Sequence, residues 1–153
     1  MLNSDEFTKS IWKGFLAPDV QLFGIPQPPF PHLYVVNNAP TFTGGEHWCV
    51  LIVFKHFCEF FDPFGKSPFE NGVLKSIFSH CKKIKYNNVQ YQSILAKTCG
   101  HHCIFFAMQR ARGVSCKQIK QIYNETNLTQ NDDMVFNFVV KHFGVFFVKI
   151  QDI

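Results

Sequence analysis

The chain has 153 residues, of which 46% are hydrophobic and 17% charged. That length and balance suit one domain spanning 1–153 with a sizeable core, and exclude a disordered chain. No apolar run reaches the roughly 18–20 residues of a membrane-spanning helix, which excludes a helical membrane protein. The formal charge of +4 is uneven: residues 1–80 hold five Lys and seven acids, residues 81–153 ten Lys or Arg and four acids. The second half can therefore attract a polyanion such as nucleic acid, or form a solvated basic face.

The N-terminal segment lacks a signal-peptide apolar stretch, so a protein that is not secreted is expected. Residues 4–15 predict a helix, with Ser4 as cap, Asp5 and Glu6 in the first turn, and Phe7, Ile11 and Phe15 repeating at i, i+4. Residues 24–32 carry four prolines and exclude regular helix. Strands are expected at 33–37, from Trp48 through Phe54, and at 57–62, the last two joined by a tight turn near Lys55 and His56. A helix over 68–80 and a basic strand within 82–91 follow. Helices are expected over 99–112, ending at Gly113, from a Ser115 cap to Tyr123, and over 131–143, with a last strand or extended tail from Gly144. The fold class implied is α+β, a central mostly antiparallel sheet flanked by helices.

Six cysteines stand at 49, 58, 81, 99, 103 and 116. With no secretory signal they are expected mostly as reduced thiols, and the sequons at Asn124 and Asn127 as chance matches.

Cys99 opens a helical run and is followed by Gly100. A helix N-terminus and a nearby imidazolium both favour the thiolate, the reactive form of cysteine. Gly100 leaves room for a substrate backbone. His47 precedes Trp48 at the start of an apolar strand, where its side chain can face a cleft as a general base. Asp62 ends the next strand. In a hairpin the start of one strand lies beside the end of the other, so Asp62 can orient His47. Gln92, seven residues before Cys99, offers an amide N–H to an oxyanion; Gln90 is the poorer candidate. Glu59 is a rival acid, but strand alternation places it on the face opposite Asp62, solvated or paired with a lysine.

The segments TGGEHW at 43–48, FFDPFG at 60–65, and Gln92 followed by TCGHHC at 98–103 resemble the adenovirus-type endoproteases (adenain). FLAPD at 15–19 extends the likeness, which covers roughly residues 10–112. The order His, Asp, Gln, Cys also resembles the wider clan of ubiquitin-like-protein proteases. The resemblance implies an adenain-type fold with the nucleophile at a helix N-terminus, His47 as base, Asp62 as orienter, Gln92 as oxyanion donor and Cys99 as nucleophile. Asp62 stands where adenoviral enzymes often carry Glu. Lys97 and Thr98 replace small or acidic residues, and His101 and His102 replace apolar ones.

The implied activity is a viral cysteine endopeptidase that processes virion precursor proteins, in the virion and the host nucleus or cytoplasm. A narrow cleft at Gly45 and Trp48 would admit small side chains. No cofactor is required for the chemistry. The resemblance further implies an activating viral peptide bonded through Cys81 and stimulation by DNA at Lys82, Lys83 and Lys85. Alternatives are a ubiquitin-like-protein deconjugase, which would share a Gly-Gly preference, and a non-enzymatic DNA-binding or packaging module. A zinc site from Cys99, His101, His102 and Cys103, with His80 and Cys81, is a weaker reading: it offers one paired element on an apolar helix, where structural sites usually have two. The expectation is no metal.

Overall fold

A computed structural model describes residues 29–37, 47–70 and 81–144, and the backbone of 12–16. Five strands lie side by side in chain order: β1 (Trp12–Leu16), β2 (His32–Asn37), β3 (Trp48–Val53), β4 (Cys58–Phe61) and β5 (Ile84–Tyr86). Pairing is antiparallel for β2–β3 and β3–β4, and parallel for β1–β2 and β4–β5. The sheet is thus mixed, antiparallel at its centre and parallel at both edges. Three helices follow: α1 (Cys99–Ala111), α2 (Cys116–Ile122) and α3 (Leu128–Phe143). The α+β class is therefore as expected.

β2 and β3 read as near-continuous apolar runs because both faces are buried. On one face Leu33, Val35, Val50, Ile52 and Phe61 pack with Cys103, Phe105 and Phe106 of α1. On the other, Tyr34, Val36, Cys49, Leu51, Val53 and Phe60 form a second cluster. The alternation follows the period of two along each strand. Phe61 stacks on Phe106 at 4.3 Å between ring centroids, fixing α1 against the end of β4. A Phe-rich sequence supplies this aromatic layer.

The β3–β4 hairpin turns at Lys55 and His56, with Val53 opposite Cys58 and Val50 opposite Phe61. α1 ends as expected: Gly113 takes φ 84°, and its N–H donates to the Arg110 carbonyl while that of Val114 donates to Gln109. Ser115 caps α2 through a capping box with Gln118. α3 starts three residues earlier than the periodicity predicts, because Asn127 accepts the Gln130 N–H as its cap.

Several expectations are corrected. Residues 12–16 form β1, not the end of a helix; pairing with β2 outweighs the i, i+4 apolar pattern there. Residues 4–11 lie outside the described residues. Of the helix expected over 68–80, Pro68–Glu70 form a short 3₁₀ turn and the rest lies outside. The basic strand is only Ile84–Tyr86. The segment from 145 onward is also outside. Glu59 does face away from Asp62, but it is buried and neither solvated nor paired with lysine. Its carboxylate takes two bonds from Arg110 of α1, Nη2 to Oε1 at 2.8 Å and Nε to Oε2 at 2.9 Å. This fork ties β4 to α1 from the side opposite the Asp62 face.

Candidate active site

His47 immediately precedes β3 and Asp62 immediately follows β4, so the hairpin brings them together across 15 residues. His47 Nε2–H donates to Asp62 Oδ1 at 2.6 Å, and both residues are buried. A carboxylate can only accept, so this bond places a proton on Nε2 and leaves Nδ1 as the basic nitrogen. Nδ1 is buried and makes no full hydrogen bond. The polar group that acts on this ring besides Asp62 is Cys99. Phe64 stacks on the imidazole at 4.6 Å and limits its rotation.

Asp62 is itself held. Its Oδ1 also accepts the Phe64 N–H at 2.7 Å, an Asx turn over Pro63. Asn87 pins its backbone from both sides: Asn87 Oδ1 accepts the Asp62 N–H at 2.9 Å, and Asn87 Nδ2 donates to the Asp62 carbonyl at 2.6 Å. The chain leaves β5 after Tyr86 in order to make this clamp. Gly65 follows in the positive-φ region at 72°, and a Cβ there would meet the Val89 backbone at 2.7 Å. Only glycine permits that close approach.

Cys99 is the first residue of α1. Thr98, at the cap position, makes no side-chain cap bond. The first-turn N–H groups are therefore left to other acceptors. Burial opposes a charge on Cys99. The His47 contact, the Trp48 N–H, the charge of His47 and the Gly100 N–H outweigh it and hold the thiol below its ordinary value. For His47 burial again opposes charge. The bonds with Asp62 and Cys99 and the negative charge of both overcome it, and the imidazole is raised to about 9. A thiolate–imidazolium pair is the state these shifts favour.

The other free thiols differ. Burial pushes Cys49 and Cys103 well up, and Cys116 to about 11, with Glu59 adding to the last.

Gln92 is buried in the loop ahead of α1. Its N–H and that of Tyr91 donate to the Pro63 carbonyl at 3.0 and 2.8 Å, which ties this loop to the segment after Asp62. One Nε2–H of Gln92 goes to the Ala96 carbonyl at 2.7 Å. The second Nε2–H is not used in that bond, and Oε1 is buried without a partner. Gln90, the poorer candidate, donates to the Gln92 carbonyl at 2.9 Å and so supports it.

The structure thus brings His47, Asp62 and Cys99 together, with Gln92 on the loop that leads to Cys99. Trp48 opens β3, half-buried, with its N–H near the thiol. Gly45 lies outside the described residues. Lys82, Lys83 and Lys85 are exposed at the β5 edge, and Lys85 Nζ sits 4.7 Å from the Phe57 ring centroid. Cys81 is joined to Cys58 in a disulfide, against the expectation of a reduced thiol; a peptide bonded through Cys81 would have to exchange with Cys58. The parallel β4–β5 pairing sets Cys58 opposite Ile84, so Cys81 falls beside it.

Of the zinc reading, Cys99, His101, His102 and Cys103 point different ways around α1, Cys81 is in the disulfide with Cys58, and His80 lies outside the described residues. His102 is bonded to Asp132 and Tyr123, Cys103 is core, and His101 packs on Phe136. Among the described residues, the donor atoms that gather within 4.8 Å of one another belong to His47, Cys49 and Asp62. A cation there would have to part the direct His47–Asp62 bond.

No protein-family model matches the chain. Solved structures similar to it include the following two. One is a crystal structure of the ASFV pS273R protease, with 17% identity and a TM-score of 0.49 over 85% of this chain and 60% of that one. The other is its selenomethionine form, with 22% identity and a TM-score of 0.38 over 58% and 37%. The chain spans about three-fifths of the length of the protease in the first match.

Sequence patterning does not single out Asn87 or Phe64 as site residues. Asn87 had no signal: an Asn after a short strand is an ordinary turn residue. Phe64 was visible only as part of DPFG.

Proposed function

We propose that this chain is a cysteine endopeptidase with Cys99 as nucleophile, His47 as base, Asp62 as orienter and Gln92 as oxyanion donor. The observation that carries it is the buried His47, held at Nε2 by Asp62 with Nδ1 left for the thiol that starts α1.

The proton of Cys99 passes to His47 Nδ1, and the thiolate attacks the scissile carbonyl. The oxyanion takes the free Nε2–H of Gln92 and the Cys99 N–H. His47 returns its proton to the leaving amine, and the C–N bond breaks to leave a thioester. Water, deprotonated by His47, attacks the thioester, and Cys99 leaves. No metal or organic cofactor enters these steps.

The motif likeness to adenovirus-type endoproteases supports viral precursor proteins as substrates, cut after small residues. Peptide activation through Cys81 and DNA stimulation at Lys82, Lys83 and Lys85 belong to the same proposal.

Turnover needs the thiolate and the imidazolium together. It is expected to rise with pH below the ordinary thiol range, as Cys99 loses its proton, and to fall as pH passes about 9, where His47 loses its own. The stability sign agrees: a raised His47 contributes fully below about 6.5, and that contribution disappears as pH rises through about 9. A library of internally quenched peptides, with and without duplex DNA, followed by a pH–rate profile on the best substrate, tests this. Cleavage confined to ubiquitin-like-protein conjugates would favour the deconjugase; no cleavage under any condition would count against the enzyme.

A further inference from the structure

Asp132 of α3 plays no part in the chemistry above, yet it is buried and fully bonded. Its Oδ1 accepts Thr98 Oγ1–H at 2.8 Å and His102 Nε2–H at 2.9 Å. Its Oδ2 accepts the Ser93 N–H at 3.3 Å. Ser93 follows Gln92, and Thr98 precedes Cys99. One carboxylate therefore grips both ends of the loop that separates the two oxyanion donors. Its neighbour Asn131 donates to the Tyr91 carbonyl at 3.0 Å, on the other side of Gln92.

Within the loop, the Gln92 amide donates to the Ala96 carbonyl at 2.7 Å and the Ala96 N–H to the Ser93 carbonyl at 3.3 Å. Ile94 and Leu95 are 81% and 95% exposed. Thr98 makes no side-chain cap bond to α1; its hydroxyl donates to Asp132. His102, one turn into α1, completes the clamp. It is wholly buried, donates its backbone N–H to the Thr98 carbonyl at 2.9 Å, and sets Nδ1 3.1 Å from the Tyr123 hydroxyl. Burial opposes charge on Asp132, but the bonds from His102, Ser93 and Thr98 outweigh it and keep its carboxyl below the ordinary value. The anion is thus present throughout the working pH range.

We propose that Asp132 is a positioning residue that sets the Gln92 amide and the Cys99 N–H in register as an oxyanion hole. This rests on the endopeptidase reading. The two fail differently, because alkylation of Cys99 needs the His47–Cys99 pair but no oxyanion hole, whereas turnover needs both.

The test compares wild type with Asp132→Ala, Asp132→Asn and Thr98→Val. It measures kcat and KM on one internally quenched peptide that wild type cleaves, and the iodoacetamide rate at Cys99. Asp132→Ala is expected to lower kcat about 10–100-fold, less than the roughly 10²–10³-fold cost of removing an oxyanion donor outright, because the donors are misplaced and not deleted, with KM and the alkylation rate little changed. Asp132→Asn keeps an oxygen for Thr98 and His102 but sets an amide against the Ser93 N–H, so an intermediate loss is expected. Thr98→Val, which removes one hydroxyl, should show the same split with a smaller loss, and decides the matter if Asp132→Ala does not fold. Wild-type kcat in folded Asp132→Ala, or in Thr98→Val, overturns the proposal. So does a parallel fall of kcat and alkylation rate, which marks general damage. A wild-type protein without selective Cys99 alkylation and without cleavage overturns the endopeptidase reading itself.

Discussion

Cys99→Ala is expected to abolish peptide hydrolysis, with kcat/KM falling by at least ~10⁴-fold while the protein stays folded. The physical basis is local. Cys99 is partly exposed at the first position of α1 and carries none of the sheet packing, which falls to Cys103, Phe105 and Phe106 deeper in the helix. Alanine suits the first turn of a helix as well as cysteine does. The loss is therefore chemical, since no other group can form the thioester. Cys49 and Cys103 are buried thiols with pKa values pushed up, and Cys116 belongs to α2. Cleavage assay alongside a thermal melt measures this. Near-wild-type turnover in the folded variant would remove Cys99 from the mechanism.

The second large effect belongs to Asp62→Asn, expected to lower kcat ~10³–10⁴-fold, by analogy with loss of the orienting acid in serine protease triads. The amide is nearly the size of the carboxylate and can still accept the His47 Nε2–H and Phe64 N–H through its oxygen. Asn87 grips only the backbone of residue 62, so the hairpin end keeps its shape. What disappears is the negative charge that favours the imidazolium. His47 should then titrate lower, and the alkaline limb of the pH–rate profile should move to lower pH. If kcat stays within about threefold of wild type, below the usual reach of general-base assistance, Asp62 is not the orienter.

Much of this site is legible in the sequence because it rests on local geometry. A turn at Lys55 and His56 between two apolar strands fixes that His47 and Asp62 face each other, and a Cys-Gly pair before an apolar run places Cys99 at a helix start. The face of Glu59 follows from strand alternation, but its partner Arg110 lies 51 residues away, and no periodicity signals an ion pair across layers. The same holds for Asn87 and Asp132, whose roles exist only once the β5 exit and α3 are docked. β1 shows the converse. An apolar i, i+4 pattern predicts a helix through residue 15, and pairing to β2 overrides it at 12–16. Cys58 and Cys81 meet because β4 and β5 run parallel, a pairing that spacing alone does not reveal.

The most direct measurement of the central claim is iodoacetamide labelling of the intact protein at pH 7, read by peptide mapping, in wild type and His47→Ala. Cys99 should react at least about tenfold faster than exposed Cys116, whose thiolate fraction is tiny with a pKa near 11, and that advantage should collapse without His47. A Cys99 no faster than Cys116, or one indifferent to the loss of the imidazole, would contradict a paired nucleophile and base at this site.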